Sequence, residues 1–113
     1  MLPDPNSQLP LNPATFHILL ALAGEDRHGY SIMQEVARHS DGRYRIGPGT
    51  LYDSLDRLSK QGLVAEVPGP EGAGARRRYY QLTTFGRGVL AAEVDRLQVV
   101  LAHAKRELGE VMP

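Results

Sequence analysis

The hydrophobic period of this chain changes at Gly62, and that change restricts it to a mixed helix-and-hairpin fold. Before Gly62, in the stretch IGPGTLYDSLDRLSKQGLV, Leu51, Leu55 and Leu58 recur at i, i+4 and i+7 and mark one face of a helix. Gly47-Pro48 opens the segment and Gly62 closes it, with proline at the first helical position and glycine just past the end. After Gly62 the period is two. Leu63-Val64-Ala65-Glu66-Val67 reads as a strand, and Arg77-Arg78-Tyr79-Tyr80-Gln81-Leu82 reads as its antiparallel mate. The intervening PGPEGAGAR is rich in glycine and proline and builds no core.

The flanking segments are helical. Asn12 is placed to cap a helix from Pro13 to about Ala23, whose Phe16, Ile18, Leu19, Leu20 and Leu22 make it apolar almost all round. Such a helix is buried on more than one side. Gly24 to His28 reads as a turn. A second helix runs from Gly29 to about His39 with Ile32, Met33, Val36 and Ala37 as its stripe. Asp41-Gly42 is a turn signal, and Tyr44-Arg45-Ile46 reads as a very short strand. Thr83 or Thr84 caps a final helix ending near Leu108. Along it Leu90, Val94, Leu97, Leu101, Ala104 and Leu108 form a heptad-type seam. That seam suits either an amphipathic helix folded onto its own core or a contact with a second subunit. The second is favoured, because a small core cannot cover ~37 Å of helix at 1.5 Å per residue.

A chain of 113 residues makes one domain with attachments. It divides into a flexible N-terminal arm (1–12), a helix-and-hairpin domain (13–83), a long C-terminal helix suited to dimerisation (84–108) and a tail (109–113). The absence of cysteine removes disulfides and thiolate metal sites. MLPDPNSQLPLNP lacks the basic and apolar regions of a signal peptide, and the longest apolar run, Ile18 to Ala23, is too short to span a bilayer. A soluble cytoplasmic protein is expected. The four histidines show no metal-binding spacing, and Gly47-Pro48-Gly49-Thr50 lacks the lysine of a phosphate-binding loop. No catalytic set stands out, so an enzyme, a metal and a cofactor are all unexpected.

Three helices followed by a hairpin is the layout of a winged helix-turn-helix. The fold class is therefore mostly α with a small β-hairpin, extended by a long C-terminal dimerisation helix. In this layout the third helix turns its outer face to the DNA major groove while the hairpin reaches a neighbouring groove or phosphate. Net charge is zero, with 13 basic and 13 acidic residues, yet the segment from Arg43 to Arg78 holds seven arginines and lysines against four acids. The candidate DNA-binding residues are Arg45, Gly49, Thr50, Tyr52, Asp53, Arg57 and Lys60, with Arg76, Arg77, Arg78 and Tyr79 at the wing. Each has a plainer alternative. The three arginines could be a solvated charge run, Thr50 a weak cap, and Tyr52 a core residue. Strand geometry sends Tyr79 and Tyr80 to opposite faces, so one of them is core. Asp53 and Asp56 repel phosphate, although an aspartate can accept from cytosine N4.

HGYSIMQEV, GPGTLYDSLDRLSKQGLV and ARRRYYQLT together resemble the PadR family of bacterial transcriptional regulators, over roughly residues 14 to 108. The anchors are His28-Gly29-Tyr30, Gly49-Thr50-Leu51-Tyr52, Gly62-Leu63 and Arg78-Tyr79-Tyr80. The resemblance implies a dimeric repressor that binds a pseudo-palindromic operator in double-stranded DNA and pairs through its C-terminal helix. It also implies a small-molecule effector near the dimer interface, for which Phe16, Leu20, Val94 and Leu97 are the candidate lining. Two departures stand out: Gly47 where members often have serine, which removes a hydroxyl cap, and Asp53 where a proline often follows the Leu-Tyr pair. The alternative function is a winged-helix module for protein–protein contacts, which the neutral charge and the two aspartates leave open.

Overall fold

A computed structural model of the chain describes residues 3–72 and 77–109. After a 3-10 turn at Pro5–Gln8 come α1 (Pro13–Leu22), β1 (Arg27–His28), α2 (Gly29–His39), α3 (Pro48–Lys60), β2 (Val64–Val67), β3 (Tyr79–Leu82) and α4 (Thr84–Glu107). The caps explain where the helices begin. Asn12 Oδ1 accepts from the Thr15 amide at 2.8 Å, ahead of Pro13 at the first helical position. Thr83 Oγ1 accepts from the Gly86 amide at 2.9 Å and starts α4. Gly47 caps α3 with no side-chain hydrogen bond, as expected where a hydroxyl is missing. Gly62 ends α3 in the left-handed region at φ +78, and the Leu63 amide reaches back to Leu58 O at 2.9 Å.

The core is the meeting of these stripes. Leu51, Leu55 and Leu58 of α3 and Ile32 and Val36 of α2 close on Ile18, Leu19 and Leu22 of α1. Helix α1 touches α2, α3, α4 and β3, which is why it carries apolar residues on nearly every side.

The sheet differs from the expected hairpin. It has three antiparallel strands in the order β1-β3-β2, with Arg27 opposite Tyr80, His28 opposite Tyr79, and Val64 opposite Leu82. The third strand comes from the segment read as a turn, while Tyr44-Arg45-Ile46 is not a strand. The free edge of β3 is taken by Arg27–His28, leaving Tyr44 without a ladder partner. Its amide instead donates to Ser40 Oγ at 2.9 Å, and its ring stacks on His17 with centroids 4.5 Å apart. The His17 Nδ1 is buried there with no hydrogen-bond partner among the described residues, and burial first, with His39 adding to it, lowers the ring's pKa below its ordinary value. β3 begins at Tyr79, so Arg77 and Arg78 precede the strand. Tyr80 is the core tyrosine and Tyr79 is half-buried.

The N-terminal arm lies against the rest of the fold. Pro5–Gln8 lies on α4, and Leu9 and Leu11 pack against the core. The Leu11 amide donates to Glu93 Oε2 at 2.9 Å, and Glu93, only 2% exposed, is paired with Arg96 one turn on along α4. The arm lacks a hydrophobic period because it is held by apolar contacts of single residues and one backbone bond to a buried carboxylate.

The Arg96 hydrogen bond leads the causes that hold the Glu93 carboxyl below its ordinary value of 4.5, with Leu11 assisting and burial opposing. A carboxylate whose folded pKa is depressed stabilises above its unfolded value and loses that contribution as pH falls through the folded one. Glu93→Gln is therefore expected to lower the melting temperature at neutral pH and to flatten the acid limb below pH ~4.5. Thermal melts from pH 3 to 7 check this; parallel acid limbs would contradict it.

Candidate nucleic-acid interface

With its leucines inward, α3 turns Gly49, Thr50, Tyr52, Asp53, Arg57 and Lys60 to the surface, and all six are exposed. Thr50 makes no side-chain hydrogen bond among the described residues, so it is not acting as a cap. Asp53, Asp56, Arg57, Lys60 and Gln61 line one shallow depression. None of its charged groups makes an ion pair among the described residues, and the face is neutral overall. Arg57 is tied to its neighbour: Nη2 donates to Thr15 Oγ1 at 3.2 Å, which turns it toward the start of α1.

Tyr52 is 46% exposed, so it is not a core residue. Its ring edge leans on the backbone of Gly29, where any Cβ would overlap the phenol oxygen. Arg45 is exposed in the loop before α3.

The wing is less free than its sequence suggests. Arg78 Nε lies 3.5 Å from Glu66 Oε1 across the strands, and both side chains are exposed. Such a surface pair is worth about 0.2–1 kcal/mol, so it does not prevent Arg78 from exchanging Glu66 for another anion. Arg77 Nη1 lies 3.3 Å from His28 Nε2. Arg76 lies outside the described residues. Tyr79 does not share the groove of Arg77 and Arg78. Its ring meets His28 edge-on at 5.4 Å, and it lines a separate cleft with Arg27 and the Pro68-Gly69-Pro70 segment.

Of the predicted residues, Tyr52, Arg77 and Arg78 come together in one groove, which they share with His28, Gly29 and Tyr30. His28 and Tyr30 were not among the candidates. The HGY motif is visible in the sequence, but nothing local to His28 marks it as facing an arginine 49 positions away. Burial and then Arg77 lower the His28 pKa below its ordinary value.

The candidate effector lining is split. Phe16 and Leu20 are half-buried on α1, whereas Val94 and Leu97 are exposed on α4. Among the described residues no group of three His, Cys, Asp or Glu side chains is arranged to hold a metal. No helix in those residues is long and apolar enough to cross a membrane.

Three core helices, a winged sheet and an exposed polar face on the third helix define a winged helix-turn-helix protein with a long C-terminal helix. The chain belongs to the PadR-like family of transcriptional regulators, whose family model matches residues 18–92. It is 41% identical over 78 residues to transcriptional regulator Rv3488 of Mycobacterium tuberculosis, which is 68% of this chain and 68% of that relative. It is similar to a PadR family transcription regulator from Clostridium difficile R20291, with TM-score 0.73 and 22% identity over 86% of this chain and 99% of the other. It is also similar to Bacillus subtilis PadR, solved in complex with operator DNA, with TM-score 0.64 and 19% identity over 74% of this chain and 47% of the other. At these identities the two structures establish the fold. The family is one of transcription regulators and not of enzymes.

Proposed function

We propose that the chain is a cytoplasmic, sequence-specific DNA-binding repressor that acts as a homodimer on a pseudo-palindromic operator and is released by a small molecule. The observation that carries this reading is the exposed polar face of α3 standing beside wing arginines that no core contact requires. Family membership and the operator complex of a structural neighbour support it. In this reading residues 13–83 bind DNA, with Arg45, Gly49, Thr50, Tyr52, Asp53, Arg57, Lys60, Arg76, Arg77, Arg78 and Tyr79 as the contact set. The last helix, 84–108, pairs the subunits through Val94, Leu97, Leu101, Ala104 and Leu108; Leu90, the first residue of the expected seam, is buried in the core of its own chain and supports the helix from within. The effector lodges near that interface, by Phe16, Leu20, Val94 and Leu97.

Affinity is expected to come chiefly from the wing, since α3 has no net charge to offer phosphate. Counterion release gives a slope of about −0.9 in log affinity against log salt for each phosphate neutralised. With two of Arg76, Arg77 and Arg78 engaged per subunit, a dimer neutralises four, or roughly 3.6 units of slope. Replacing all three by alanine is expected to flatten the slope by that order and to weaken specific and non-specific binding together. The measurement is fluorescence anisotropy on the duplex upstream of the chain's own gene, across salt. An unchanged slope would make the arginines solvated surface. If the wild-type chain bound no duplex at any salt, the protein–protein module suggested by Asp53 and Asp56 would take its place.

A further inference from the structure

His28 is the N-cap of α2, and its Nδ1 accepts from the Ser31 amide at 3.2 Å. A neutral imidazole has one acceptor nitrogen, so this bond leaves the proton on Nε2. That Nε2 faces Arg77 Nη1 at 3.3 Å, and a guanidinium offers only donors. Two N–H groups therefore converge with no acceptor between them. The other tautomer merely moves the mismatch to the Ser31 amide. The pair has one donor too many, and what it lacks is an oxygen.

The surroundings favour an anionic one. The groove is lined by His28, Gly29, Tyr30, Tyr52, Arg77 and Arg78, with no carboxylate among them. Tyr30 is 63% exposed, and the Tyr52 phenol lies against Gly29, so both carry hydroxyls at the groove. The nearest acid on the wing side, Glu66, is engaged by Arg78. On the β1 side Arg27 is turned to Glu25 and Glu35. Tyr79 presses edge-on against the imidazole from β3.

We propose that His28 and Arg77 together clamp one backbone phosphate of DNA per subunit, the phosphate oxygen accepting from both, with Arg78, Tyr30 and Tyr52 closing the groove around it. This rests on the DNA-binding reading above and adds to it a contact made by the start of α2. It also makes binding proton-linked. In the free chain burial and Arg77 keep His28 neutral near pH 7. A phosphate oxyanion at hydrogen-bond distance favours the imidazolium and raises the pKa in the complex. Affinity then rises as pH falls through the bound-state pKa, and levels off below the free-state one. Each unit by which DNA raises that pKa strengthens binding up to about tenfold per subunit.

The test is anisotropy on the upstream duplex from pH 5.5 to 8 at constant ionic strength, for the wild type and His28→Asn. Asparagine is as good an N-cap, keeping an acceptor for the Ser31 amide and a donor for phosphate, but it does not titrate. Circular dichroism confirms that the variant is folded. The wild type is expected to gain at least about tenfold between pH 8 and 5.5, one pKa unit on one subunit. His28→Asn is expected to lose most of that gain on operator and on unrelated DNA alike. Tight binding with the same pH profile in both proteins would overturn the clamp and leave the DNA reading intact. No binding by the wild type at any pH would remove both.

Discussion

Lysine at both Leu97 and Leu101 is expected to yield folded monomers in place of a dimer. In the single chain Leu97 is 37% exposed and Leu101 54%, so the core of one subunit does not depend on them. They belong to a larger set. The exposed large apolar side chains of the described residues are Tyr30, Tyr52, five on α4 (Val94, Leu97, Val99, Val100 and Leu101) and Leu108 at its C-cap. At helical spacing Val94, Leu97, Leu101 and Leu108 share one face, with Val99 on the other, and an exposed apolar stripe of this kind marks an interaction surface. Two lysines per helix put four charges into a two-fold seam, and each unpaired buried charge costs several kcal/mol. Association should weaken by at least about a thousandfold, roughly 4 kcal/mol. Sedimentation velocity gives the mass and circular dichroism the helix content. A variant that still sediments as a folded dimer would show that α4 is not the pairing surface.

Gly86→Ala carries the largest expected loss of stability. A Cβ at Gly86 would overlap the carbonyl oxygen of Leu63, with Leu82 Cδ1 at 2.8 Å and Leu63 C at 3.0 Å. The carbonyl belongs to backbone that Thr83 holds in place: the Thr83 amide donates to Leu63 O at 3.2 Å, and Thr83 Oγ1 lies 2.6 Å from Gly62 O. Neither side can yield without moving the start of α4 away from Leu63. Overpacking of this severity costs about 3 kcal/mol or more. In a domain of this size that lowers the melting temperature by roughly 12 °C or more. Gly88→Ala is the control two residues on. Its Cβ would make only ordinary contact with Pro5 Cγ at 3.5 Å, and alanine gains about 1 kcal/mol of helix propensity over glycine. Thermal melts of the two variants should move in opposite directions. A Gly86→Ala melt within a few degrees of wild type would mean that α4 does not sit on Leu63 as described.

The parts of the fold that were legible are those with a period or a cap. The Leu51-Leu55-Leu58 stripe, the Gly62 stop, the Asn12-Pro13 start and the alternation around Tyr80 are local signals, and each marks its element to within a residue or two. β1 escaped because two residues have no period, and Tyr44-Arg45-Ile46 imitated a strand without any partner to pair with. The candidate interface was legible by residue type and illegible by contact. Nothing near Arg57 in sequence points to Thr15, which lies 42 positions away. Nothing near Glu93 points to the Leu11 amide, 82 positions away. His28 is the sharpest case. Its surplus donor exists only once the chain brings Arg77 to it across 49 positions.

Thr83 joins more of the molecule than a helix cap needs to. It follows the last residue of β3, starts α4, and through its amide and hydroxyl holds the backbone at Gly62 and Leu63, where α3 ends and the wing begins. Helix α3, the strands β2 and β3 and the C-terminal helix α4 are thus pinned at one fulcrum. Swinging the long arm of that lever, the free end of α4, turns the joint from which α3 and the wing both project. On the proposed reading, two copies joined along their α4 arms would set the spacing of their α3 and wing faces by the angle at this joint, so a change of a few degrees there would be geared up into a mismatch with the next groove.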